Sequence, residues 1–217
     1  ERLPMPTSTL VTVPEAVPLR HAALTEPTAC GWHAVKLALR LAHRAPGDMH
    51  AVVLGGGAIG IGSALSLAAQ GVRSVTVLET NPVRLERLRR DLPQFELHAS
   101  FEDARAKAPD LRIDAAGCEP TRPRTCTIVK PGGIIAHIGL GQATGGLDIR
   151  RMTLQEITFC GTYTYTAEDF RETAAAIFRG AFGDFKWVEQ RSLSDGAQAF
   201  ADLLDGRVDA GKIVLMA

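Results

Sequence analysis

Gly55, Gly57 and Gly60 stand at the spacing G-x-G-x-x-G in the stretch Gly55-Gly56-Gly57-Ala58-Ile59-Gly60, and an acid, Glu79, follows on the next predicted strand. Glycines in this pattern do separate jobs when the stretch joins a strand to a helix. Gly55 permits the tight turn, Gly57 lets backbone approach a pyrophosphate, and Gly60 lets the helix lie close to the strand. The N–H groups of Ala58 and Ile59 then head a helix whose positive dipole end favours phosphate. Glu79, with Thr80 and Asn81 after it in the candidate contact set, is placed to accept hydrogen bonds from ribose hydroxyls. That chemistry selects NAD over NADP, because a carboxylate repels a 2′-phosphate. Arg84 points the other way, as a partner for such a phosphate, or else belongs to a solvated helix face with Arg87, Arg89 and Arg90.

Two later turns carry the same kind of residue. Asp114-Ala115-Ala116-Gly117 closes one predicted strand and Ile138-Gly139-Leu140-Gly141 closes the next. Small residues there let a ribose and a nicotinamide lie against backbone, at the carboxyl ends of strands where open α/β sheets bind ligands. Ordinary loop glycines explain either turn alone, whereas turns at the ends of three strands point to one crevice. The candidate cofactor contacts from these turns are Ala116, Gly117, Ile138, Gly139 and Leu140, and Thr162 and Lys212 complete the set.

The elements that must position these residues follow from the pattern. Ala51 to Gly71 holds no charge, and about 20 apolar residues suffice to span a membrane. Its glycines fall in the first half, and each costs a helix roughly 1 kcal/mol against alanine, so the run splits into strand, turn and helix instead. Strands are expected at 51–54, 74–78, 95–98, 111–116 and 133–138, with helices at 58–70, 82–91, 101–108 and 121–129. Such alternation implies parallel pairing with right-handed crossovers. The expected class is α/β, a doubly wound parallel sheet with helices on both faces. Upstream, 8–13 reads as a strand and 19–43 as a helical pattern interrupted at Pro27. Downstream, 157–165 is rich in β-formers, Thr166 and Asp169 make a capping-box variant, a helix runs to Gly180, and a last helix from Ser194 precedes a strand at 212–216.

Bulk properties narrow the partners. Lys plus Arg equals Asp plus Glu at 24 each among 217 residues, so no basic field is present for nucleic acid or an anionic membrane. Cys30, Cys118, Cys126 and Cys160 lie far apart and form no C-x-x-C pair, which fits a reducing cytoplasm rather than a disulfide framework. The opening ERLPMPTSTL has neither the charge pattern of a signal peptide nor an initiator methionine, so the sequence is expected to start within a larger protein.

With these pieces in order, the chain resembles the coenzyme-binding part of a zinc-type medium-chain dehydrogenase, the alcohol and polyol dehydrogenase family. The likeness is carried by AALTEPTACGWHAV (22–35), VVLGGGAIGIGSALSLAAQGVRSVTVLETNPVRLERL (52–88), RIDAAG (112–117), VKPGGIIAHIGLG (129–141), ITFCGTYTYT (157–166) and AGKIVL (210–215). It implies a Rossmann domain at 26–166, with 1–25 and part of 167–217 belonging to a neighbouring catalytic domain. That domain's zinc-binding Cys and Gly-His-Glu motif have no counterpart in these residues.

The resemblance also implies roles. Glu26, in Glu26-Pro27, corresponds to an acid at or just behind a catalytic zinc, though a single carboxylate makes no site without further ligands. The strand within 157–165 pairs with its twin in the family's homodimer, and Thr164-Tyr165 stands where polyol members often carry Arg-Tyr. Cys30 with His33, and His137, read as core and packing residues. The implied activity is hydride transfer between an alcohol and NAD in a zinc-dependent dehydrogenase. A zinc-free quinone-reductase relative and a non-catalytic NAD-sensing module are the alternatives.

Overall fold

The computed structural model describes residues 4–100, 102 and 108–217. Six parallel strands form one sheet: β1 (His50–Leu54), β2 (Ser74–Leu78), β3 (Glu96–His98), β4 (Leu111–Asp114), β5 (Ile134–His137) and β6 (Thr158–Gly161). Their order is β3-β2-β1-β4-β5-β6, so the chain reverses direction across the sheet between β1 and β4. That is the Rossmann-type order, and the reversal opens a crevice at the carboxyl ends of β1 and β4. β1 is buried from Ala51 to Leu54 without alternation, as a strand covered on both faces must be. Register keeps the strand ends level, with Leu78 beside Leu54, Leu54 beside Asp114, Asp114 beside His137 and His137 beside Gly161.

Helices α1 (Leu19–Ala22), α2 (Thr25–Arg40), α3 (Ala58–Ala69) and α4 (Pro82–Asp91) belong to the first half, and α5 (Thr121–Ile128), α6 (Ile149–Leu154), α7 (Ala167–Phe178) and α8 (Gly196–Leu204) to the second. α2 packs on α3 through small residues, since a Cβ on Gly31 would lie 2.6 Å from the Ser63 nitrogen. Close approach there presses Ile61, Ala64, Leu65 and Leu67 into the core with Trp32 and Val35. β7 (Val188–Ser192) and β8 (Lys212–Met216) pair in parallel as a separate sheet.

Several expectations change. Residues 8–13 form no strand: a single 3₁₀ turn covers Thr7–Thr9, the segment pairs with no neighbour, and Pro6 and Pro14 flank it. The helical pattern at 19–43 breaks at 23–24 rather than at Pro27, which sits in the first turn of α2, where its missing N–H costs nothing. β6 stops at Gly161, short of 165, because Thr164 takes a left-handed φ of 50° that ends extended backbone. Nearly all of the predicted helix at 101–108 lies outside the described residues. β7 and α6 carried no signal strong enough to read.

Candidate dinucleotide site

Gly57 is the extended N-cap of α3, and no side chain caps that helix. The first turn's N–H groups, from Ala58, Ile59 and Gly60, have no partner within the helix, so its positive end faces outward from the sheet edge. The glycines divide by what surrounds them. Gly55 has a φ of 98°, and a Cβ on Gly60 would meet the Gly55 oxygen at 1.8 Å, so both serve the turn's own geometry. A Cβ on Gly57 would meet nothing within 4 Å. The bare backbone there lies open to a ligand.

Glu79 lies just beyond β2 and is 5% exposed. Its Oε2 accepts the Gly56 N–H at 3.0 Å and the Arg84 Nη1 at 3.2 Å, while Oε1 accepts the Asn81 N–H at 2.7 Å. Asn81 is in turn occupied, its Oδ1 capping α4 by accepting from the Val83 and Arg84 N–H groups. Thr80 is exposed beside them. Arg84 is thus a partner of Glu79 rather than part of a free basic face. Arg87 also departs from the solvated-face reading, since it donates to Asp209 and to the Lys186 and Val188 carbonyls and ties α4 to the C-terminal segment. A Cβ on Gly211 would lie 3.1 Å from the Gly56 oxygen, which brings Lys212 next to the glycine turn from far along the sequence.

Across the crevice the turns after β4 and β5 touch. A Cβ on Gly117 would lie 2.0 Å from the Gly139 oxygen, and one on Gly139 2.4 Å from the Gly117 nitrogen. Asp114, fully buried, fixes this contact. Its Oδ1 accepts the Ala116 and Gly117 N–H groups, its Oδ2 accepts the Thr121 hydroxyl, and His137 Nδ1 stands 3.2 Å from Oδ2. Burial pushes the Asp114 carboxyl up, but His137, Gly117 and Thr121 outweigh it and hold the pKa below the usual carboxylate value. The Ile138 and Gly139 N–H groups both reach the Asp114 carbonyl. Leu140 stands well exposed, and the Thr162 N–H donates to the His137 carbonyl beside these turns.

No protein-family model matches the chain. It is 29% identical over 222 residues to (R,R)-butanediol dehydrogenase of Saccharomyces cerevisiae, covering 95% of this chain and 57% of that protein. To L-galactonate-5-dehydrogenase of Escherichia coli K12 it is 32% identical over 167 residues, covering 73% of this chain and 47% of that protein. Its fold superposes on 2R,3R-butanediol dehydrogenase from Bacillus subtilis with a TM-score of 0.81 at 18% identity, over 95% of this chain and 60% of the other. Its homologues are alcohol and polyol dehydrogenases of the zinc-type medium-chain family. It spans about half the length of the curated relatives it matches.

The family's metal finds no donor set among the described residues. Among the described residues no group of three or more His, Cys, Asp or Glu side chains could hold a metal ion. Glu26 is exposed on the first turn of α2, and its Oε1 accepts the Tyr165 hydroxyl at 3.3 Å. Cys30 donates weakly to the Glu26 carbonyl, and burial, then Glu26, pushes its thiol pKa up, away from the thiolate a metal requires.

His33 is more than a packing residue. Its Nδ1 lies 2.7 Å from Oδ2 of buried Asp169, Lys36 bridges Asp169 and Glu172, and the Trp32 indole donates to Glu172. Burial raises the Asp169 carboxyl, yet Thr166, Lys36 and His33 pull it well below the usual range. The network clamps α2 to the start of α7, where the Thr166–Asp169 capping box forms as read. His137 is half-buried and bonded, as expected of it. Asp114 was missed as a site residue, although an acid followed two and three residues later by small residues is a recognisable side-chain-to-backbone turn.

Proposed function

We propose that the chain is the NAD-holding part of an alcohol dehydrogenase that exchanges hydride between a small alcohol and the cofactor. The observation that carries this reading is the uncapped start of α3 at Gly57, where an added Cβ would meet no neighbouring part of the structure within 4 Å, beside Glu79 at the level strand ends. When bound, the nicotinamide supplies the hydride acceptor. The first-turn amides of α3 hold the pyrophosphate, and Glu79 accepts from the ribose hydroxyls through the acceptor position left on Oε1. Arg84 is spent on Glu79, which leaves it a poor partner for a 2′-phosphate and supports NAD. The joined turns at Gly117 and Gly139, with Ile138, Leu140 and Thr162, form the wall against which nicotinamide and its ribose lie. Lys212, beside the glycine turn, completes the anion-holding side.

Relatives named as butanediol and galactonate dehydrogenases support an alcohol as substrate. The reading uses no metal step, because no donor set exists among the described residues. It includes a homodimer through the edge strand β6, where Phe159 is 37% exposed and an unpaired edge needs a partner. A cytoplasmic setting fits the four free cysteines, and no helix among the described residues is long and apolar enough to cross a membrane.

Calorimetric titration of the chain with NADH and NADPH tests the cofactor assignment. NADH is expected to bind at least about tenfold tighter, a difference of about 1.4 kcal/mol. Absence of binding by either nucleotide, or a Glu79→Ala variant with unchanged NADH affinity, overturns it.

A further inference from the structure

The loop after β5 has little of its own to hold it in place. Leu140 through Gly146 are all exposed and form neither helix nor strand, and the next side chain to reach a core is Leu147, against Cys126, Val129, Ile135 and Ile157. No buried side chain between Gly139 and Leu147 sets the path. Yet this stretch begins with Leu140, at the rim of the crevice.

Polar bonds set the path instead, and they converge on one side chain. Arg122, half-buried in the first turn of α5, donates from Nη1 to the Thr144 carbonyl and from Nη2 to the Gln142 carbonyl and, at 3.1 Å, to the Gly117 carbonyl. Gln142 adds two bonds between the same segments: its N–H donates to the Gly117 carbonyl at 3.0 Å, and its Oε1 accepts the Glu119 N–H at 2.6 Å. Gly117 is therefore held at both ends, by Asp114 at its N–H and by Arg122 and Gln142 at its oxygen. The fit is close, since a Cβ on Gly141 would lie 2.7 Å from the Ala116 oxygen and one on Gly145 3.1 Å from Glu119 Cγ. A planar guanidinium carries its five N–H donors in a fixed fork, so one side chain gathers three carbonyls at set angles, which an ammonium on a flexible stem does not.

We infer that Arg122 is a positioning residue for the nicotinamide end of the cofactor: by tying residues 142–144 to the Gly117 turn, it sets where Leu140 stands. The inference rests on the NAD reading above and adds to it a residue that acts through the loop rather than by touching the cofactor. Gly57 and Glu79 lie beyond the ends of β1 and β2, on the other side of the crevice, and none of these bonds reaches them. Loss of Arg122 should therefore weaken a ligand that includes the nicotinamide and spare one that lacks it.

Calorimetric titration of wild type, Arg122→Ala and Arg122→Lys with NADH and with ADP-ribose, the same dinucleotide without its nicotinamide, tests the inference. In Arg122→Ala the NADH affinity is expected to fall at least about tenfold, as for lost hydrogen bonds to a charged group, with ADP-ribose unchanged within about twofold. Arg122→Lys keeps the charge and the stem without the fork, so it should show the same split, and it repeats the test should the alanine variant misfold. Fluorescence of the reduced nicotinamide gives a second readout: the enhancement expected on binding to wild type should shrink in both variants. Equal losses for the two ligands, or NADH affinity unchanged in either folded variant, overturns the inference and leaves the NAD reading standing. Wild type that binds neither ligand overturns the NAD reading, and the role of Arg122 with it.

Discussion

Glu79 and Asp114 flank β1 at the same edge of the sheet, and each is a buried carboxylate accepting a backbone N–H from a glycine turn. They differ in what is left over. An ionised carboxylate offers about four acceptor positions. Asp114 has all of them facing protein groups: two backbone N–H groups, the Thr121 hydroxyl and His137. Glu79 faces two backbone N–H groups and Arg84, which leaves one position on Oε1. The Arg84 Nε is also buried without a partner. Two acids at strand ends thus divide into one that closes the crevice wall and one with capacity for something outside the protein. Gly60 and Gly57 divide in the same way, one crowded by its own turn and the other open.

The largest effect should come from Asp114. In Asp114→Ala the Ala116 and Gly117 N–H groups, the Thr121 hydroxyl and His137 all lose their acceptor in a site closed to water. Breaking a buried charged network of this kind costs about 3–5 kcal/mol. Urea denaturation should show that loss even without nucleotide. A variant that unfolds at the wild-type midpoint would mean the crevice wall does not depend on this carboxylate.

Next in size is the contrast within the glycine motif. Gly60→Ala drives a methyl onto the Gly55 carbonyl and should destabilise by about 1–3 kcal/mol or more. Gly57→Ala, at an extended φ of −79°, should leave stability within about 0.5 kcal/mol while weakening NADH at least tenfold. Paired thermal melts and NADH titrations separate the two. If Gly57→Ala binds NADH normally, the open space at Gly57 serves no ligand.

A smaller effect is expected at Glu79. Glu79→Gln keeps the volume and an acceptor for Asn81 but weakens acceptance from ribose hydroxyls, so NADH affinity should fall about tenfold with little change in NADPH. Equal losses for both nucleotides would show that Glu79 acts only by shaping the turn, as Asp114 does.

What could be read in advance depends on how local the cause is. The strand at 74–78, the helix at 82–91 and the strand at 212–216 fall where the pattern placed them, because burial period, Asn81 and Pro82 act within a few residues. The capping box at Thr166 and Asp169 is local in the same sense. The strand expected at 8–13 failed because β-forming composition needs a neighbouring strand, and none lies there among the described residues. β7, whose sequence Val-Glu-Gln-Arg-Ser shows no apolar alternation, exists through its pairing with β8. At the crevice, the motif marked Gly55 to Gly60 and Glu79, but nothing near Arg84 in sequence foretold that it would pair with Glu79 rather than face solvent. The bond between His33 and Asp169 joins residues more than a hundred apart, and only the packing of α2 on α7 creates it. Asp114 lies between these extremes, with the Ala116 and Gly117 bonds local and the His137 contact set by the register of β4 and β5.

Acid is the gentlest probe of the same contrast. Because the Asp114 pKa is depressed in the folded chain, its charge stabilises the fold fully above the unfolded value of about 3.9, and that contribution is lost as pH falls through the folded value. Asp114→Asn has no such titration. The stability gap between wild type and this variant should therefore be constant at neutral pH and close progressively below about pH 4. Asp169 shifts in the same direction but is present in both proteins, so it cancels from the difference. Urea midpoints at about pH 7, 5, 4 and 3 measure the gap. A gap that stays constant to pH 3 would mean that the Asp114 charge contributes nothing, and the wall would then be held by the touching glycine turns alone.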